Sequence, residues 1–249
     1  MELGGLEIAI LGAAALATSV LSATVGMAGG ITLLAVMLVF LDPLVAIPVH
    51  GAVQMVSNSS RAAIQRRHLR WGIIARYALL LLPMGFVGLP IAQALPPAAT
   101  KVVIGVFVLV ATWSPGALLL GTHPEATNPN RRFFVLGGVV GALNVTIGAT
   151  GPLIAPFFLN LGLDRFQLVG TKAACQTLGH LAKLVVFGIA GFAFGAFVPL
   201  LLLLAGLVVV GTWIGSRLLE HVDERLFELL YKSVLTAIAA YLIARQIAL

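Results

Sequence analysis

Four polar residues in one stretch, His50, Gln54, Asn58 and Arg61, fall at i, i+4, i+8 and i+11, and Lys172, Gln176, His180 and Lys183 repeat those spacings at an offset of 122 residues. Such spacings put each set on one face of a helix. The side chains offer hydrogen-bond donors and positive charge, which suits the holding of a small anion. Bond-breaking chemistry would need other residues. There is no His-Glu-x-x-His, no Gly-x-Ser-x-Gly and no pair of acids within an apolar segment, so a membrane-embedded enzyme with a nucleophile and base, or with a metal cluster, is the weaker reading. No metal and no cofactor is expected.

Each stripe is preceded by a glycine-rich break. Thr24-Val25-Gly26-Met27-Ala28-Gly29-Gly30 aligns without gaps on Thr146-Ile147-Gly148-Ala149-Thr150-Gly151-Pro152, and the frame runs on through Asp42 over Asp164 to Gln54 over Gln176. The chain is an internal duplication. A break at membrane depth frees backbone N–H groups that lipid cannot satisfy, so it must line protein or a watery cavity. Helices resuming at Ile31 and Leu153 would aim their first N–H groups at an occupant of the break. Thr24, Thr146 and Thr150 add hydroxyls, and Pro152 suits a first helical turn. Substrate contact is therefore expected for Thr24, Gly29, Gly30, His50, Gln54, Thr146, Thr150, Gly151, Lys172 and Gln176, with Asn58 and His180 as further polar contacts. The competing role for the glycines is close helix packing, and for a lone Asn, Gln or His it is interhelical bonding. Recurrence in both copies favours a site. Arg61 is assigned to the basic loop that follows it and Lys183 to snorkelling, so both serve orientation here.

Around these residues the chain is membrane. Sixty per cent of residues are hydrophobic and ten per cent charged, and mean hydropathy is +1.07, far from a soluble domain in which about a quarter of residues are charged. The uncharged stretches 8–41, 43–60, 77–100, 102–122, 133–163 and 185–216, and the stretch 229–244 broken only by Lys232, meet or approach the ~20 residues that one crossing needs. Repeats are expected at 1–122 and 133–249, joined by a loop at 123–132. Glu2 and Glu7 stand where a secretory signal would be basic, so the start reads as a first membrane segment. The net charge of +6 gives no support to a nucleic-acid partner, because Arg61, Arg66, Arg67, Arg70 and Arg76 crowd one connection. The positive-inside rule places that connection in the cytoplasm.

The matching connection, 187–197, carries no charge and is expected outside, which makes the two halves inverted. Arg131, Arg132, Arg217 and Arg225 then fall inside, and Lys101 and Arg245 outside. From Leu3 to Leu41 a single helix would run roughly 58 Å, about twice the hydrocarbon thickness, so it must turn back at 26–30. The expected architecture is an all-α polytopic membrane protein of two homologous, inverted halves, each a glycine-broken helical hairpin followed by three crossings. These are 43–66, 71–95 and 99–121, then 165–187, 195–219 and 224–246. Asp42, before Pro43, and Asp164, with Gln167 three residues on, read as helix caps rather than ion-coupling acids. No sodium site is visible. His50 and His180 are the membrane groups whose ordinary titration lies near neutral pH, so any proton effect is expected through them. The lone Cys175 reads as a small buried apolar residue.

The duplicated glycine motif, GMAGG at 26–30 and GATGP at 148–152, with its short loop and polar helix in a chain of this length, resembles the sulfite exporter TauE/SafE family, which includes toluenesulfonate uptake permease-like transporters. The likeness runs over nearly the whole chain. It implies a multi-pass protein of the bacterial inner membrane that exports small sulfur-containing anions, such as sulfite or organosulfonates including sulfoacetate. The anion would be held between the repeats near the bilayer midplane. The first motif ends Gly-Gly and the second Gly-Pro, so the two copies cannot make identical contacts. An anion channel, or a carrier of other organic anions, would use the same donors and stays open at this point.

Overall fold

A chain this apolar can satisfy its backbone in lipid only by forming helices or a closed barrel. The structure, a computed structural model, describes residues 3–25, 29–121, 123–158, 161–218 and 224–247, and these are helices and their connections with no strand. In chain order they are α1 (Gly5–Val25), α2 (Gly29–Phe40), α3 (Pro43–Ile64), α4 (Trp71–Ala78), α5 (Leu81–Ala94), α6 (Pro97–Trp113), α7 (Pro129–Thr146), α8 (Gly151–Ile154), α9 (Arg165–Ile189), α10 (Val198–Leu218) and α11 (Glu224–Ile247). Among the described residues, Gly5–Ala23 and Phe194–Leu218 are long and apolar enough to cross a membrane singly. The pair α4 and α5 is long and apolar enough only when taken together, across a bend of 42°.

That bend departs from the straight crossing expected over 71–95, and Pro83 explains it. Proline has no N–H for the carbonyl four residues back, at Leu79, and its ring crowds that turn. The helices resume after the breaks at Gly29 and Gly151, two residues before the expected Ile31 and Leu153. The first turn itself, 26–28, lies outside the described residues. At 12 residues, α2 reaches about 18 Å and cannot cross. It is instead buried in protein, with Leu33, Leu34, Met37 and Leu38 fully enclosed. Its counterpart is shorter still, because α8 is one turn and passes at Ala155–Phe158 into a 3-10 helix. In the central connection α7 begins at Pro129, where the Asn128 side chain accepts the Asn130 N–H at 2.9 Å, so the expected loop at 123–132 ends in helix.

Small residues set the helix pairing. On α10, a Cβ at Gly215 would fall on the Val20 carbonyl of α1, and one at Gly12 of α1 would lie 3.1 Å from Leu207. The two helices therefore run parallel. On α7, a Cβ at Gly137 or Gly141 would fall on the carbonyls of Tyr77 and Leu81, so α7 runs parallel to α4 and α5. Each half thus packs its first helix against the other half's bent or long crossing, through glycines that bring backbones into contact. Helices at matching positions meet differently. Along α3 and α9, His50 faces His180 and Gln65 faces Gly170, an antiparallel pair. Along α6 and α11, Gly105 meets Ile243 while Trp113 Nε1 donates to Thr236 Oγ1 at 2.9 Å, again antiparallel.

Both aspartates sit at N-caps, and they act differently. The Asp164 carboxylate accepts the Gln167 N–H at 2.8 Å. Asp42 makes no side-chain cap bond, and only its carbonyl accepts from Val45 and Ala46; Pro43 at the first position has no N–H to offer. Cys175 is fully buried in the smaller of the two apolar cores, with Tyr77, Phe133 and Phe158.

The close approach at α7 is testable by unfolding purified protein in detergent. Gly141→Leu should lower stability by at least the ~1–3 kcal/mol of an overpacked contact. Gly206→Ala, where a Cβ meets nothing within 4 Å, should leave stability unchanged or raise it by up to ~1 kcal/mol through helix propensity. Equal effects at the two positions would contradict this packing.

Candidate functional site

The seam between α3 and α9 is where both stripes meet. Because the helices run antiparallel, the stripes are laid head to tail, so Arg61 comes level with Lys172, and His50 with His180 and Lys183. All eight stripe residues except Gln176 are buried, and Gln176 is half-buried. Ser22, Gly30, Ile31, His50, Gln54, Arg61, Ala149, Thr150, Gly151, Pro152, Lys172, Gln176 and His180 line a cavity of about 20 Å³. That volume suits water, so a larger occupant would require these side chains or helices to move apart.

The breaks are held by the stripes themselves. His50 Nε2 donates to the Gly30 carbonyl at 2.7 Å, and Lys183 Nζ donates to the Gly148 carbonyl at 2.7 Å. Arg61 donates to the Ser22 carbonyl at 2.9 Å and also to Asn58 Oδ1. Gly148 has φ +86, a conformation that favours glycine, and a Cβ there would meet Leu34 and Ile47 across the repeat boundary at 2.9 and 3.0 Å. Each glutamine lies against the resumed helix of its own half. A Cβ at Gly30 would sit 3.2 Å from Gln54 Oε1, and one at Gly151 3.0 Å from Gln176 Nε2.

After these bonds are made, polar atoms remain. His50 Nδ1, His180 Nδ1 and Arg61 Nε are buried with no hydrogen-bond partner, a costly arrangement unless something visits them. The His50 and His180 rings stand edge to face at 5.7 Å. With Nε2 committed to the Gly30 carbonyl, Nδ1 of a neutral His50 presents a lone pair, and only the imidazolium would donate there. Such a site offers guanidinium, ammonium and amide donors to one small group, and every charged side chain lining it is basic.

Of the residues expected at the site, Gly30, His50, Gln54, Thr150, Gly151, Lys172, Gln176 and His180 line this cavity. The others do not. Gly29 packs on α1, where a Cβ would overlap the Thr18 carbonyl and Ser22 Oγ. Thr146 bonds back to the carbonyls of Ala142 and Leu143 at 3.3 Å. Asn58 acts one step away, donating to the Gln54 carbonyl at 2.8 Å and receiving Arg61. The side chain of Thr24 lies outside the described residues.

The cations need correcting most. Arg61 belongs to α3 and lines the cavity rather than the basic loop, and Lys183 does not snorkel but turns inward to a broken backbone. Arg132, expected in the central loop, is a buried residue of α7 and donates to the Phe157 carbonyl at 3.2 Å. The missed signal was the stripe spacing itself, which placed Arg61 and Lys183 on the same face as the accepted residues.

Lys172 and Lys183 should separate cleanly. Lys172→Met should weaken anion binding by about 1.5–3 kcal/mol, the worth of a charge-assisted bond, with folding retained. Lys183→Met strips the Gly148 carbonyl of its donor and should cost about 1–3 kcal/mol of stability. Anion titration and thermal unfolding of both variants check this, and the reverse pattern would contradict it.

No curated protein and no solved structure matches the chain. Residues 11–242 match the sulfite exporter TauE/SafE family, a span that takes in both breaks, both stripes and most of α11. The chain therefore belongs to the sulfite exporter TauE/SafE family, a family of membrane transporters of sulfite-type anions.

Proposed function

We propose that the protein is a secondary transporter that exports a small sulfur-containing anion, sulfite or an organosulfonate such as sulfoacetate, across a bacterial inner membrane. One observation carries the reading. Two stripes from different halves converge with both helix breaks on one cavity whose charged lining is entirely basic. A sulfonate or sulfite group has three oxygens to accept from such donors, and Lys172, Arg61 and the two glutamine amides supply them. Thr150 and the backbone at Gly30 and Gly151 complete the cradle.

The packing supports inversion of the halves. If two copies are related by an axis across the helices, counterpart helices meet antiparallel, and α3 with α9 and α6 with α11 do so. An axis along the membrane normal would make them parallel. Projected onto α3 and α9, this axis passes close to Gln54 and Gln176, which puts the site near the bilayer midplane, as inverted-repeat carriers arrange it. Alternating access through glycine-hinged breaks is favoured over a channel, because a cavity sized for water is not a continuous pore.

Coupling follows from electrostatics. An interior negative by 100 mV favours exit of one negative charge by about 2.3 kcal/mol, so export needs no sodium. Proteoliposomes with an imposed potential should move a radiolabelled sulfonate at a rate that rises with voltage, ignores sodium and shows trans-acceleration by unlabelled sulfonate. A voltage-independent or sodium-requiring rate would overturn the coupling, and absence of trans-acceleration would point to a channel.

A further inference from the structure

Among the described residues, Arg61 is the one shared by the central cavity and a second, larger cleft of about 370 Å³. The cleft is walled by the ends of four helices, with Ala23 from α1, Ile64 from α3 and Gln65 at its C-cap, Phe166 and Val169 from α9, and Ser216 and Arg217 from α10. Gln65 adjoins Arg66, Phe166 adjoins Arg165, and the His68 ring lies 5.5 Å from that of Phe166. The cleft therefore opens on the face that carries Arg66, Arg67 and Arg70. Its charged lining is Arg61 and Arg217, and no described residue lining it is acidic. Arg217 is steadied over the Trp213 ring at 3.8 Å.

The opposite face is built otherwise. In the repeat frame Ala23, Ile64, Gln65 and Val169 correspond to Val145, Val186, Phe187 and Ile47. Those four are buried together in the main apolar core. At the position of Arg61 stands Lys183, turned to the Gly148 carbonyl. One end of the seam is thus an open basic cleft and the other a packed apolar plug.

We propose that the cleft is the vestibule by which the anion reaches the central site from the basic face, that Arg61 is the gate between them, and that Val145, Ile47, Val186 and Phe187 form the closed gate of the other face. This rests on the anion-transport reading above. Arg61 suits a gate because its guanidinium spans the wall on two tethers, the Ser22 carbonyl and Asn58 Oδ1, while Nε is buried and unpartnered. An arriving oxyanion offers a charged, two-pronged acceptor that competes with those neutral tethers. The guanidinium then swings with the anion and keeps its donors satisfied. Arg217 at the mouth gathers anions from solution, as a basic cleft with low-dielectric walls does.

The test uses single cysteines in a Cys175→Ala background, in vesicles of both orientations, with anionic (sulfonatoethyl) and cationic (trimethylammonioethyl) methanethiosulfonates. Ser216→Cys should react from the basic face alone, and faster with the anionic reagent. Val186→Cys should be protected from both faces. Gln176→Cys should react slowly from the basic face, and several-fold faster when Arg61→Gln is added. Reaction of Ser216→Cys from the opposite face, free reaction of Val186→Cys, or an unchanged Gln176→Cys rate in Arg61→Gln would each overturn the assignment. If Arg61→Gln does not fold, the Ser216→Cys and Val186→Cys results in protein with Arg61 intact decide it. Should labelling follow the expected pattern while added sulfonate fails to slow reaction of Gln176→Cys, the path stands and the anion reading falls.

Discussion

Everything here depends on broken backbone having no water to turn to. A helix interrupted within a membrane leaves carbonyls and N–H groups that must find partners in the protein, and this chain supplies them from long polar side chains on two neighbouring helices. His50 bonds the Gly30 carbonyl in the first turn of α2, and of the carbonyls left past helix ends Arg61 takes that of Ser22 and Lys183 that of Gly148. Arg132 does the same for Phe157 in the 3-10 helix that follows the second break. The positive charges lie at the carbonyl ends of α1 and α7, where the helix dipole favours them. Of the groups that hold the breaks, His50 and Arg61 also line the cavity, and the polar atoms left over among its lining residues are Arg61 Nε and Nδ1 of the two histidines.

The same constraint explains the packing. Side chains can reach across to a broken backbone only if helices approach closely, which glycine against carbonyl permits. Gly211 and Gly215 on α10, and Gly137 and Gly141 on α7, bring each half's first helix against the other half's crossing. Neither half is complete alone. Among the described residues, the α3–α9 seam is where both breaks, both glutamines and three cations converge.

Much of this was legible in the sequence, because duplication made weak signals repeat. Stripe spacing put His50, Gln54, Lys172 and Gln176 on helix faces, and the glycine motifs marked the breaks. The frame alone could not say that α3 and α9 meet antiparallel, which is what sets Arg61 beside Lys172. Arg61 was assigned to its sequence neighbours, the basic loop, although its spacing belonged to the stripe. Thr146 and Gly29 stand in the motif, yet backbone bonding and contact with α1 absorb them. The bend at Leu79 needed only Pro83, four residues on, to be read as a helix breaker.

The central claim is that the two halves build one anion site between them. Its most direct test is an equilibrium titration of a sulfonate into purified protein carrying Gln54→Leu, Gln176→Leu or both. A shared site predicts one anion per chain and effects that fail to add, with a coupling of about 0.5–3 kcal/mol between residues that contact one ligand. Two anions bound per chain, or strictly additive losses, would show instead that each half holds its own.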